Sequence, residues 1–119
     1  MLGLQGATGS GKTMLAPRYL LSWLQSQNHP RSCVCLVQDS VYSARRVVFS
    51  LVEHFRWQRD RIHLRTSVDK SDRFRTNWTQ LTVINYGILW EWMKSEHPWT
   101  RKYGGIILDE SAFFRLLER

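Results

Sequence analysis

The 119-residue sequence is short of several things. It has two cysteines, too few for a disulfide framework. No apolar run approaches the ~18–20 residues of a membrane span, which argues against a membrane partner. The first residues lack the basic head and long apolar stretch of a secretory signal. An intracellular, reducing compartment is the expectation, with nucleus and cytoplasm not distinguished. No internal repeat and no low-complexity segment is present. Acidic side chains are also scarce: 10 Asp+Glu stand against 17 Lys+Arg, a net charge of +7.

What is present suits one domain. For a mass of 14.1 kDa, surface scaling gives roughly 6,700 Å² folded against about 20,000 Å² unfolded, enough burial for a core. Hydrophobic residues make up 43% and charged residues 23%, the balance of a globular chain and not of a disordered one. The positive charge is uneven. Residues 1–50 carry five basic and one acidic side chain, residues 51–75 seven and four, and residues 76–119 five of each. The densest basic stretch holds Arg56, Arg59, Arg61, Arg65, Lys70, Arg73 and Arg75. Polyanions are drawn to such a surface by counterion release. Asp60, Asp69 and Asp72 are interleaved, so a solvated mixed-sign face is the competing explanation.

Periodicity supplies the elements. Leu2 to Leu4 reads as a strand stub, and Gly6 to Gly11 is a glycine-rich loop. Lys12 to about Gln27 reads as a helix, with Leu15, Tyr19, Leu20, Trp23 and Leu24 at helical spacing. Asn28, His29 and Pro30 end it. Cys33 to Val37 is an apolar run of the kind buried on both faces of a sheet. Ala44, Val47, Val48, Leu51, Val52 and Phe55 follow the i, i+3, i+4, i+7 rule, with Asp39 or Ser40 as cap. Strands are expected at Ile62–Arg65, Leu81–Asn85 and Gly105–Asp109, and helices over residues 87–96 and 111–118. Strand and helix in alternation predict an α/β fold with a mostly parallel sheet flanked by helices.

Gly6, Ala7, Thr8, Gly9, Ser10, Gly11, Lys12 and Thr13 match G-x-x-x-x-G-K-[ST]. Each residue type has a reason. Glycines let the backbone curl so that successive N–H groups point at phosphate oxygens. The helix that follows turns its positive dipole end to the same anion. Lys12 would reach the β- and γ-phosphates of ATP, and Thr13 would place its hydroxyl on Mg²⁺. A chance glycine-rich turn is disfavoured because the loop lies between a strand stub and a strong helix.

A second acidic signal lies far downstream. Ile106, Ile107 and Leu108 lead into Asp109 and Glu110. Parallel sheets place ligand sites at the carboxyl ends of their strands. Asp109 is therefore expected beside the phosphate loop as a Mg²⁺ ligand, and Glu110 as the group that orients and deprotonates an attacking water. The structural alternative is that both are simply good first-turn residues of a helix.

With these residues in place, the chain resembles the first RecA-like domain of a superfamily 2 helicase of the DEAH-box or DExH type. The loop continues as Met14-Leu15-Ala16-Pro17-Arg18-Tyr19-Leu20-Leu21, similar to the TQIPQYLL of DEAH-box proteins. Val37-Gln38 and Ser43-Ala44-Arg45-Arg46-Val47 resemble motif Ia, and Tyr86-Gly87-Ile88-Leu89 resembles the T-x-G-x-L stretch. Asp109-Glu110-Ser111-Ala112 takes the motif II position. The resemblance implies a RecA-like P-loop NTPase fold over residues 1–119, with Mg-ATP held by the loop, Asp109 and Glu110. It also implies single-stranded nucleic acid, RNA before DNA, contacted by Arg45, Arg46, Tyr86 and Gly87.

The sequence departs from the family in places. Asp39-Ser40-Val41 stands where motif Ia carries its proline and first arginines. Asn85-Tyr86 replaces the usual threonine before Gly87, and Ala112 replaces the histidine or aspartate at the fourth place of motif II. In the family that residue couples the ATP site to the strand-binding side. Motif III and the second RecA-like domain, with its arginine fingers, fall outside these residues, so the expectation is a fragment with weak or no turnover of its own. Two other readings stay open: a helicase remnant that binds nucleic acid without turnover, and a P-loop NTPase outside the helicases.

Several residues are not assigned chemistry. Cys33 and Cys35 form a lone C-x-C pair, better read as buried structural thiols than as zinc ligands. His29, His54, His63 and His97 show no ligand or triad spacing. Of six tryptophans, Trp57 in the basic stretch is the best candidate for base stacking, with core burial the alternative; Trp23, Trp90 and Trp92 are expected in the core or an interface.

Overall fold

A computed structural model describes residues 2–6, 12–69, 79–96 and 98–118. Strands and helices alternate along them as β1 (Leu2–Gly6), α1 (Lys12–Ser26), β2 (Val34–Gln38), α2 (Val41–Glu53), β3 (Ile62–Arg65), β4 (Leu81–Asn85), α3 (Tyr86–Lys94), β5 (Gly105–Asp109) and α4 (Glu110–Leu117). The boundaries follow the periodicity to within a few residues. Residues 70–78, with Lys70, Arg73 and Arg75 of the basic stretch, lie outside the described part.

Local chemistry sets the helix ends. Ser40, one of the two caps expected, begins α2 by accepting the N–H of Ser43 on its hydroxyl at 3.1 Å. The buried face of α2 is Ala44, Val47, Val48 and Leu51, the stripe its spacing predicts. Helix α1 closes at Asn28, whose φ of 51° lets the N–H of His29 reach the Leu24 carbonyl at 3.0 Å and its own N–H reach Gln25 at 3.1 Å. That pair of bonds is a Schellman cap, with asparagine in the left-handed position. Pro17 lies inside α1, so the Thr13 carbonyl loses its helical donor.

The face of α1 corrects the sequence expectation. Leu20 and Leu24 are buried, together with Pro17 and Leu21, but Leu15, Tyr19 and Trp23 are exposed at 47%, 73% and 48%. The periodicity contained two overlapping apolar stripes, and packing against the sheet selected one.

The five strands lie in the order β1-β5-β2-β4-β3, and every neighbouring pair is parallel. Both faces are covered. Val34, Leu36, Leu81, Val83 and Ile107 meet α1 and α2 through Leu20, Leu21, Leu24, Val47 and Leu51. On the other face Cys35, Val37, Ile84 and Ile106 meet α3 and α4 through Ile88, Leu89 and Ala112. Two-sided burial is why these strands read as continuous apolar runs. Each fully buried aliphatic side chain contributes about 1.5–3 kcal/mol. Cys33 and Cys35 are both buried in the second cluster, as their i, i+2 spacing on one strand required. Gly104 is fixed by close approach: its N–H donates to the Cys33 carbonyl at 2.8 Å, and a Cβ there would lie 2.1 Å from the Arg31 carbonyl oxygen.

Candidate functional site at the carboxyl edge of the sheet

Gly6, at the end of β1, is the register partner of Asp109, at the end of β5. The chain leaves these adjacent strands on opposite faces, into α1 and α4. Adjacent parallel strands whose exits diverge in this way open a crevice at their carboxyl ends, where α/β sheets bind ligands. Lys12 and Thr13 begin α1. Ala7, Thr8, Gly9, Ser10 and Gly11 lie outside the described residues. Glu110 is the first residue of α4.

Asp109 is 5% exposed, and its Oδ1 accepts the N–H of Ala112 at 2.8 Å, which makes it the cap of α4. The structural alternative for this aspartate, a helix cap, is therefore real and coexists with its place in the crevice. Burial pushes its carboxyl above the usual carboxylate range, and Asp39 adds repulsion; the bonds from Ala112 and Gln38 act the other way. Among the residues whose side chains are described, no cation is paired with it. A buried carboxylate at a strand end with that deficit is a fitting oxygen donor for a divalent cation.

The polar edge continues across the sheet. Gln38 ends β2, Asn85 ends β4, and the two are register partners, 4% and 7% exposed. Asn85 accepts the Ser67 N–H on Oδ1 at 3.3 Å and donates from Nδ2 to the Ser67 hydroxyl at 3.4 Å. Gly87 lies against this pair: a Cβ on it would come within 3.2 Å of Asn85 Nδ2. Thr66, fully buried, gathers the loop after β3 by accepting the Val68 and Asp69 N–H groups and donating to Asp69 Oδ2 at 2.6 Å. Sequence reasoning put Gln38 in the motif Ia stretch and Asn85 among the family departures without giving either a place in the site, and it missed Thr66. The signal was available for the first two, since each is a polar residue closing an apolar run, as Asp109 is.

The expected strand-contacting residues divide. Arg45 makes a two-pronged ion pair with Asp69, Nε to Oδ2 at 3.0 Å and Nη2 to Oδ1 at 3.2 Å. Arg46 lies over the exposed Tyr42 ring at 5.6 Å. Tyr86 is 2% exposed, so its ring is part of the core and only Gly87 of that pair reaches the surface. Arg115 of α4 covers the Tyr86 ring at 4.9 Å and donates to the Asp39 carbonyl at 3.3 Å, joining α4 to α3 and the end of β2. Trp57 is likewise removed from base stacking. It is 5% exposed, packed in the α1–α2 core under the Arg18 guanidinium at 4.6 Å. Trp92, by contrast, stacks on Tyr103 at 6.3 Å, within the second core as expected.

No described helix is long and apolar enough to cross a membrane. No protein-family description, curated protein or solved structure matches this chain.

Proposed function

We propose that this chain is the ATP-binding, RecA-like domain of an ATP-dependent nucleic-acid helicase of the DEAH-box or DExH kind, acting on RNA before DNA. The observation that carries the reading is the register of Gly6 with Asp109. Two motifs from opposite ends of the chain, one built for phosphates and one for a metal, meet at one edge of a parallel sheet.

In this reading the loop Gly6–Gly11 and Lys12 bind the phosphates, and Thr13 and Asp109 hold Mg²⁺. Bound Mg²⁺ supplies charge neutralisation at the phosphate oxygens. Glu110, at the start of α4, orients and deprotonates water. Gln38 and Ala112 hold the Asp109 carboxylate in place. Arg46, Gly87 and Arg45, once released from Asp69, contact a nucleic-acid backbone along the same edge. Turnover requires an arginine finger from a second RecA-like domain, a factor of about 10³–10⁵ in comparable enzymes. Lys12→Ala tests the assignment directly: ATP binding measured by calorimetry on the folded chain should fall at least about tenfold. Unchanged binding would refute it.

One observation favours a second reading, a strand-binding remnant without turnover. Ala112, at the fourth motif II place, is fully buried and offers the site only its N–H. Salt-dependent RNA binding that ignores ATP and persists in Lys12→Ala would select this reading.

A further inference from the structure

Arg56 and Arg61 of the basic stretch do not lie at the carboxyl edge. Arg61 immediately precedes β3, Gln58 begins the short 3-10 turn Arg59–Arg61 that leads into it, and Gln80 immediately precedes β4, so all three lie toward the amino ends of their strands. There they line a cleft of about 300 Å³ with Arg18, Arg56 and Trp57. Among the described residues the lining holds three arginines and no carboxylate. Its frame is rigid, since the Gln80 N–H donates to the Arg61 carbonyl at 2.8 Å and the Val34 N–H donates to the Gln80 carbonyl at 3.0 Å.

Arg18 and Trp57 form one side of the cleft. Arg18 spreads over the Trp57 ring at 4.6 Å and spends one donor on the Phe55 carbonyl at 3.5 Å, out of the five a guanidinium carries. Trp57 Nε1 is buried and has no acceptor among the described residues, a condition that costs free energy unless an acceptor arrives. Arg56 is the residue that turns the chain out of α2, with a φ of 58°. Across this turn the Trp57 N–H returns to the Leu51 carbonyl at 2.9 Å. Glycine takes that conformation freely, and a residue with a Cβ does not. Arg56 is an arginine at a turn better suited to glycine, a cation placed against its own backbone preference.

We propose that this cleft binds a small oligophosphate, pyrophosphate or a phosphate ester with adjacent anionic oxygens, on the edge of the sheet opposite the nucleotide crevice. Arg18 and Arg56 grip the oxygens with planar donor forks. Arg61 lines the same cleft, and the Trp57 ring under Arg18 forms part of its wall. The volume lies at the small end of ligand sites, which suits a compact anion.

The test uses the full 119-residue chain carrying Lys12→Ala, so that binding at the glycine-rich loop is weakened at least about tenfold. Pyrophosphate is titrated at physiological ionic strength by calorimetry, and the Trp57 indole N–H is followed in proton–nitrogen spectra assigned with Trp57→Phe. Saturable binding with a shift of that resonance is expected. Adding Arg56→Gly should weaken binding about tenfold or more while raising the melting temperature, because glycine relieves the turn. Arg18→Gln should weaken binding comparably. A ten-nucleotide RNA that displaces pyrophosphate identifies backbone phosphate as the source of the oxygens; one that does not identifies a free phosphate. Pyrophosphate binding equal with and without Arg56→Gly, or no saturable binding at all, overturns the proposal.

Discussion

Asp109 holds the N–H of Ala112 at 2.8 Å, so one carboxylate both closes β5 and starts α4. Asparagine caps helices about as well as aspartate, and alanine does not. Asp109→Ala should therefore cost about 1 kcal/mol by chemical denaturation. Asp109→Asn should keep the fold and remove the burial cost of a charge whose carboxyl is pushed upward. Its stability at neutral pH should equal or exceed that of the unsubstituted chain. Mg²⁺-dependent ATP binding should fall in both variants; if it survives in Asp109→Asn, the carboxylate is a cap alone.

Ala112 is the other half of that relationship, and it has no free surface. A carboxylate introduced there meets Val37, Ile106 and their neighbours in the second core. Ala112→Asp should destabilise by at least about 3 kcal/mol. An unchanged denaturation midpoint would show that the α3–α4 face is looser than described.

Asp69 supplies a pH dependence with a definite sign. The hydrogen bond from Arg45 holds its carboxyl below the usual range, and Thr66 adds to the effect. A carboxyl lowered by folding contributes stability above its unfolded value, near pH 4, and loses it as pH falls through the lowered folded value. The pair is largely exposed, so the contribution is small. Asp69→Asn should flatten the stability profile below about pH 4. It should also release Arg45, and the slope of log affinity for RNA against log salt should steepen by about one. No change in slope would remove Arg45 from the strand-contacting set.

Gly104 has the Arg31 carbonyl oxygen, and behind it the Leu24 methyl groups, where a Cβ would fall. Gly104→Ala must push the Arg31 carbonyl away or break the bond to Cys33. A loss of about 1–3 kcal/mol is expected by denaturant titration. A neutral outcome would mean that the segment before β2 shifts freely.

How much of this the sequence contained depended on range. Helix α2 was legible from its stripe and cap because both are local. The strands were legible because a parallel sheet buried on both faces needs unbroken apolar runs. The glycine-rich loop and the acidic pair stood out as contiguous motifs, but their meeting at one edge needed the strand order. The exposed row Leu15, Tyr19 and Trp23 has the same spacing as a buried stripe, so only packing could assign it. Trp57 looked available because it lies among charges. The left-handed turn at Arg56 carries the chain back over α1, a bend that no periodicity announces. The Arg45–Asp69 pair and the arginine cleft join residues from separate elements and left no local mark.

The strand order also constrains how the chain is made. β5 emerges last of the strands, yet it lies between β1 and β2, the first two to be synthesised. Those two are not neighbours: β1 must wait, unladdered, for residues 105–109, and β2, which can pair with β4 on one side, keeps its other edge open until then. During that wait their backbone edges are open to any other nascent strand. Closure over such a sequence separation is slow and exposed to misassembly. Production of this protein should therefore reward slow translation after β2, or a chaperone that shields extended segments, more than any gain in the stability of the finished sheet.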